Sequence, residues 1–422
     1  MKKNHPNYLF LLLIGLIYSL GCTKPQEAMD AKPLEETKGS ATGPYFTRDQ
    51  EHRPVLCWSE QSEKDGPSVL RYAIYAPDYG RFAKAGTVAG SLGCSTSPES
   101  MAKVAFKADG TIVAVFGKRF TSEKNPYAGA ICYTSSTDKG TSWSPVKYLH
   151  SDTAHHYGRS FFDIERMADG ELATVWLDGR FGKSIKGSAL FFARTTKGQG
   201  FATEVCLQKG TCECCRTKLL SDEHGNLHLA YRSIMMPSLT QKEQVRDMAY
   251  LTSADGGKRW SSPVTISDDQ WKIDGCPHSG PTMAQAGDEL NVGWFTAGGG
   301  PGLYFSHHQK DAGFTKRVLV SAAGRHPQMV TSQGGVVVMV YEEGAAAASE
   351  STGHAHGTSG LSKIRLQLIS KGKMLNGTDV TDGTSSDHHA VLTPLQNKVL
   401  VAWIRESLSG SKIYYREVAL LN

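Results

Sequence analysis

Seven times along the chain a turn leads into a short apolar strand that ends in a large aromatic residue. The segments are 53–58, 109–116, 169–176, 224–231, 288–294, 334–341 and 397–403, ending in Trp58, Phe116, Trp176, Tyr231, Trp294, Tyr341 and Trp403. Neighbouring aromatics lie 47 to 63 residues apart. A second strand follows each segment (69–76, 129–134, 188–194, 247–252, 302–306, 363–369 and 412–418), and in most units a hairpin and a third strand follow that. A unit of this length with several short strands cannot bury both its faces alone, and stacked copies can. The period therefore predicts an all-β chain folded as a single β-propeller of seven units, with six as the alternative if one unit is an elaboration. The last unit stops after its third strand, and the stretch around 32–43 is available to supply its outer strand and close the ring.

Two hairpins repeat almost letter for letter, 117 residues apart: Ser136-Thr-Asp138-Lys-Gly140-Thr-Ser-Trp143 and Ser253-Ala-Asp255-Gly-Gly257-Lys-Arg-Trp260. In Ser-x-Asp-x-Gly-x-x-Trp the Asp ties its own turn, the Gly supplies a positive φ and the Trp anchors the hairpin in apolar surroundings. Degenerate versions stand at Thr196-Lys-Gly198-Gln-Gly-Phe201 and Asp78-Tyr-Gly80-Arg-Phe82. This is the Asp box, and with it the chain resembles the sialidase-type β-propellers. The Asp residues lie on outer hairpins, so they are assigned a structural role only. Sialidases have six blades, so seven units depart from that pattern.

The ends and the charge narrow the setting. Lys2-Lys3, the apolar run 8–20 and Ser19-Leu20-Gly21-Cys22 read as an export signal (residues 1–21) resembling a bacterial lipobox, with Cys22 acylated. Residues 22–42 then read as a flexible lipid-anchored tether, and 43–422 as the propeller. The expected location is the bacterial cell envelope, membrane-anchored through Cys22. The formal charge is only +5 and no basic run stands out, which argues against a nucleic-acid partner. A second flexible insert is expected at 344–359, which includes His354 and His356.

In a propeller the start of each inner strand and the end of the next strand share one rim. The inner-strand starts supply Arg159, Asp163, Cys214-Cys215-Arg216, Cys276-Pro-His278, Arg325-His326 and Asp387-His388-His389. The strand ends supply Glu60, Lys118-Arg119, Asp178-Gly-Arg180, Arg232, Glu342-Glu343 and Arg405-Glu406. Such convergence of polar groups on a concave surface is the default site. The sialidase resemblance implies arginines on a sugar carboxylate, for which Arg159, Arg216, Arg232, Arg325 and Arg405 are candidates, because the planar guanidinium pairs with a carboxylate twice. It implies Asp178 or Asp163 as the acid and Glu342 as the partner of a Tyr nucleophile, with glycan or glycoconjugate as partner and no cofactor required. The family's N-terminal Phe/Tyr-Arg-Ile-Pro signature is absent.

Two other readings stand beside it. Cys212, Cys214, Cys215, Cys276, His278, His326, His388 and His389 fall on four consecutive units at one rim, and thiolate and imidazole donors there are suited to Cu or Zn. Disulfides would account for the same cysteines, from the 212–215 cluster to Cys276 and Cys206, and between Cys57 and Cys94. A propeller that only binds glycan or protein is the third reading.

Overall fold

The computed structural model describes residue 1 and residues 31–63, 66–235, 244–275, 277–309, 312–344 and 361–420. The chain divides into Met1–Asp30 and Ala31–Asn422. Cys22, Cys276, His354 and His356 lie outside the described residues, as do the export signal and most of the insert.

Ala31–Asn422 is built of antiparallel meanders, with two short 3-10 turns (Pro77–Tyr79 and Gly182–Ser184) as its helical elements among the described residues. Blade 1 runs inner to outer through Ser40–Arg48, Pro54–Gln61 and Ser68–Ala76, with Arg81–Phe82 and Gly86–Thr87 at its edge. Blade 2 uses Lys103–Phe106, Ile112–Arg119, Gly129–Ser136 and Lys147–Tyr148. Blade 3 uses Arg159–Arg166, Leu172–Asp178, Ser188–Arg194 and Val205–Thr211, and blade 4 Lys218–Ser221, Leu227–Arg232, Met248–Ser253 and Val264–Thr265. Blade 5 uses Thr282–Ala286, Glu289–Thr296 and Gly302–Gln309 with short outer strands at Gly313–Phe314 and Val318–Ser321. Blade 6 is Gly324–Thr331, Val337–Gly344, Ser362–Ser370 and Lys373–Asp379. Blade 7 is Ser386–Leu395, Lys398–Ser407 and Gly410–Ala419, joined to blade 6 by one parallel bridge, Ser362 to Ser386. Each inner strand contacts the next, and the last contacts the first, so the meanders close into a ring.

The closure uses the N-terminal stretch. Lys32–Pro33 pairs antiparallel with the outermost long strand of blade 7, Lys32 opposite Tyr415 and Pro33 opposite Tyr414. Residues 31–42, read from composition as a tether, are thus part of the propeller. Their main-chain hydrogen bonds, such as Leu34 N to Ile413 O at 2.8 Å, hold them there.

The core is a set of slabs between blades. One slab joins Val55, Cys57 and Leu70 of blade 1 to Val104, Phe106 and Ala114 of blade 2; the next joins Val113 and Ile131 to Phe162 and Trp176; equivalent slabs follow round to blade 7 against blade 1. Both faces of every blade are covered, so strands such as Val336-Val-Val-Met-Val340 read as continuous apolar runs. All seven terminal aromatics are buried, and each faces the preceding blade, as Trp58 does toward Leu400 and Tyr415. Cys57 and Cys94 belong to these slabs as thiols and form no disulfide. Cys57 Sγ meets the Val104 main chain and Cys94 Sγ lies beside Ser68 and Ser59.

The repeated hairpins show why their residues recur. Ser136 Oγ donates to Asp138 Oδ1 (2.7 Å) and accepts from Gly140 N (2.8 Å), while Asp138 accepts from Ser142 N and Oγ. These bonds hold the Asp138 carboxyl down at about 2. Ser253, Asp255, Gly257 and Arg259 repeat the pattern. The Trp packs on an aromatic of the preceding blade: Trp143 on Tyr72 at 6.4 Å between ring centres, Trp260 on Phe192 at 5.3 Å. Phe201 on Tyr133, Phe314 on Tyr250 and Phe82 on Tyr415 repeat this edge-on contact where the motif is degenerate.

A Cβ on Gly257 would stand 2.2 Å from the Phe192 ring, whereas one on Gly198, also at positive φ, would meet nothing within 4 Å. Gly198→Ala should therefore cost about 1 kcal/mol, the strain of the left-handed backbone alone. Gly257→Ala should cost roughly 3 kcal/mol, because overpacking adds to that strain. Urea unfolding of the two variants checks this, and equal losses would refute the interlocking of turn and preceding blade.

Candidate functional site

At the start of the inner strands the chain makes the same unusual move in several blades. Gly43, Phe161, His278, His326 and His389 all have positive φ (62°, 53°, 45°, 46° and 51°). In blades 1, 3, 6 and 7 this coincides with a register shift against the second strand. Such a bulge turns one extra residue out of the ladder and re-aims it. Non-glycine residues there carry strain that the surrounding sheet must hold, a pattern associated with functional positions.

His326 and His389 stack face to face, 4.3 Å between ring centres. Nδ1 of His326 lies 2.6 Å from Oε1 of Glu342, and Nδ1 of His389 lies 2.7 Å from Nδ1 of His388. Glu342 Oε2 also accepts the His389 main-chain N–H at 2.9 Å. The other ring nitrogens, Nε2 of His326 and of His389, face Glu99 Oε1 at 3.9 and 3.7 Å. Glu99 belongs to the connection between blades 1 and 2. It accepts from Arg216 Nη1 at 2.9 Å, and Arg216 Nη2 donates to Pro327 O at 2.8 Å. Blades 6 and 7 and the connections between blades 1 and 2 and between blades 3 and 4 thus meet at the channel mouth.

The electrostatics set the two imidazoles apart. For His326, burial acts to lower the pKa, and Glu342 and Glu99 outweigh it, so the ring is raised above its ordinary value. His389 is held well below its ordinary value by burial and by the charge of His326 beside it, so it is neutral. Burial raises Glu342, but His326 with its hydrogen bond, and His389, hold the carboxyl far below the usual range.

The five candidate arginines do not converge. Arg159 is spent on Asp178, Asp152 and the Ala154 carbonyl. Arg232 is buried and donates to the carbonyls of Arg246, Ser279 and Phe295. Arg325 lies over the Phe295 ring at 3.7 Å. Arg405 forms a two-fold pair with Asp387 at 2.6 and 2.8 Å. Of the five, Arg216 joins the mouth cluster. Asp178 is fully buried, accepting from Trp176 Nε1, Arg159 and Arg180, which is the place Glu60 takes beside Trp58 in blade 1. Asp163 sits deeper in the channel between Lys103 (3.5 Å) and Lys218 (3.3 Å), with Tyr45 O–H donating to it at 3.3 Å. Neither aspartate lies at the mouth, whereas Glu342 does, as a carboxylate accepting from His326 and the His389 amide. Tyr341, next to it, is buried in the slab against blade 5.

Three sets of donors are close enough to share an ion: Cys212, Cys214 and Cys215; Glu99, His326 and His389; and Glu342, His388 and His389. The expected Cys/His rim thus divides into a thiol group and an imidazole–carboxylate group. Cys214 and Cys215 fall in the first, His326 and His388 in the second, and His278, at positive φ ahead of the blade 5 inner strand, in neither. Glu99 was not foreseeable from the repeat, because it lies in a connection with no counterpart in other units. Below the mouth, the far ends of all seven inner strands line a cavity of about 570 Å³ that includes Arg48, Glu165, Arg166 and Asp222. Burial, the largest influence there, pushes Glu165 up to about 7.

No protein-family model matches the chain, and no curated protein sequence matches it. Among solved structures it is similar to an ulvan lyase of a polysaccharide lyase family, bound to -[GlcA(1-4)Rha3S]-, at 10% identity and TM-score 0.55, covering 92% of this chain and 96% of that one. It is similar to the polysaccharide lyase Uly1 at 11% identity and TM-score 0.53, covering 92% and 91%. A sialidase from Streptococcus pneumoniae aligns at 9% identity and TM-score 0.47 over 89% and 85%. At these identities the first two likenesses establish the β-propeller fold.

Replacing Glu342 by Gln tests the electrostatic frame. The raised His326 adds stability that is full below the ordinary histidine value of 6.5 and fades as pH rises through its folded value. The depressed Glu342 adds stability present above the ordinary 4.5 and lost as pH falls toward its folded value. Glu342→Gln should therefore cost most between those two values. The cost should be about 2 kcal/mol, less than for a fully buried pair because the His326 side chain is 19% exposed. Urea unfolding across that range checks it; a pH-independent loss would contradict the ion pair.

Proposed function

We propose that this propeller acts on an acidic glycan at the channel mouth, with His389 and His326 moving the protons. The observation that carries the reading is the stacked pair of imidazoles, one held above and one below the ordinary histidine pKa, backed by Glu342 and facing Glu99, which Arg216 meets. Two titratable groups whose pKa values are pushed apart at stacking distance are the parts list of general acid–base chemistry. Proteins of comparable fold include a polysaccharide lyase and one bound to a glucuronate-containing repeat, which supports an acidic sugar as ligand.

For a uronate-containing chain the step is an elimination. The proton next to the carboxyl passes to His389 Nε2, the glycosidic bond at the neighbouring carbon breaks, and the departing oxygen takes a proton from His326. The positive charge of Arg216 and His326 faces the sugar carboxylate. Hydrolysis of sialosides by an arginine cluster is the less supported form of the same reading, since Arg216 is the one candidate arginine that reaches the mouth.

The test is incubation of the full chain with uronate-containing polysaccharides, sialosides and a neutral arabinan. A new conjugated double bond marks elimination, and free sialic acid marks hydrolysis. The expected result is elimination on an acidic polysaccharide, with His389→Ala lowering kcat/KM by about 10²–10⁴. Cleavage of arabinan alone, or no binding of any acidic glycan, would sink the reading.

The same reading places the propeller outside the cytoplasm on a lipid-modified Cys22. Incorporation of a labelled fatty acid, abolished by Cys22→Ser, is the expected outcome; equal labelling of both chains would refute it.

A further inference from the structure

Cys212, Cys214 and Cys215 lie in the connection that leads from the outer strand of blade 3 to the inner strand of blade 4, and all three are buried. Cys212 Sγ is 3.6 Å from Cys214 Sγ and 3.3 Å from Cys215 Sγ. A disulfide would bring two sulfurs to about 2.05 Å. Two thiolates sharing one ion through bonds of about 2.3 Å would stand roughly 3.7–4 Å apart. The observed spacing sits near the second distance.

The surroundings supply a cationic partner to Cys212. Arg246, 2% exposed, donates from Nη1 to Cys212 Sγ at 3.2 Å and to Glu213 Oε2 at 3.1 Å. Arg232, also buried, stacks over Trp271 at 4.8 Å, and its hydrogen bonds go to main-chain carbonyls. Cys212 thus shares the buried Arg246 guanidinium with the half-exposed Glu213 carboxylate. The loop is fixed by Cys212 N donating to Arg232 O at 2.9 Å, so the donors are held before any ion arrives.

We propose that Cys212, Cys214 and Cys215 form a binding site for a soft monovalent ion of the Cu(I) class, distinct from the imidazole–carboxylate mouth. Soft thiolate donors select Cu(I) over hard cations. Three-fold thiolate coordination satisfies Cu(I), whereas structural Zn sites take four ligands. Arg246 then acts as the outer partner that neutralises and orients a ligating sulfur. Arg216 follows Cys215 directly and reaches Glu99, so loading would stiffen the segment that delivers Arg216 to the mouth.

The experiment titrates the reduced full chain anaerobically with Cu(I) against a coloured Cu(I) chelator. X-ray absorption is then measured on the loaded protein. The expected result is one Cu(I) per chain withheld from the chelator, with three sulfur neighbours and no nitrogen. Cys212→Ser and Cys215→Ser should each weaken retention at least 100-fold, and Cys132→Ser, in the slab between blades 1 and 2, should leave it unchanged. The spectroscopy on the unaltered chain needs no variant to fold. Three outcomes overturn the proposal: the chelator keeps all the copper, zinc displaces it in direct competition, or mass spectrometry finds Cys212 in a disulfide in protein never exposed to reductant. None of them bears on glycan cleavage, which is read out separately.

Discussion

Everything in this molecule depends on the contact between consecutive blades. A four-stranded meander has two apolar faces and no way to cover either by itself. The chain covers them by presenting each blade to the next, so the hydrophobic core is a ring of slabs. The buried aromatic at the end of each second strand always points back to the preceding blade, and the Asp-box Trp does the same from the outside. Inner and outer aromatics clamp the same junction at two radii. Pairing of Lys32–Pro33 with the last blade closes the ring, so the final slab, with Leu34 and Ala41 against Leu400 and Tyr415, is completed by residues near the start of the chain.

Such a frame leaves little freedom except where the inner strands begin. There the bulges at Phe161, His326 and His389 release one residue per blade from the ladder, and the ring of strands supplies the stiffness that keeps a histidine in a left-handed conformation. In blade 6 the position just after the terminal aromatic is Glu342, where blades 1, 3, 5 and 7 have Ser59, Leu177, Phe295 and Ile404. A carboxylate in that buried slot is stable because His326 and the His389 amide meet it. The strain of the bulge and the cost of the buried charge are thus offset at the same place.

How far this was legible in the sequence follows from what repeats. The seven strands and their aromatics stand out because every junction imposes the same demand, and so does the role of the Asp boxes. The arginines misled for a related reason. A charged residue at the end of a strand looks like a ligand, yet Arg159 and Arg405 are held by Asp178 and Asp387, and Asp178 in turn serves the indole of Trp176. Long guanidinium side chains that tie sheet ends together cannot be told from free ones by position alone. Glu99 was invisible because it sits in a connection that occurs once, and Arg246 because its target is a sulfur more than 30 residues away. Glu342 and His326 were visible as residues, but their pairing required knowing that both face inward.

The channel is not one continuous compartment in chemical terms. Tyr45, Lys103, Asp163 and Lys218 come from the inner strands of blades 1, 2, 3 and 4 and join across it. Lys103, its pKa lowered to about 8 chiefly by burial, also rests on the Tyr45 and Phe162 rings. Tyr45 and Lys218 of this belt also line the cavity at the other end of the strands. A belt of paired charges resists both an apolar guest and a bare ion, because either would have to break buried pairs whose separation costs several kcal/mol. Any group entering at the mouth would meet these paired charges.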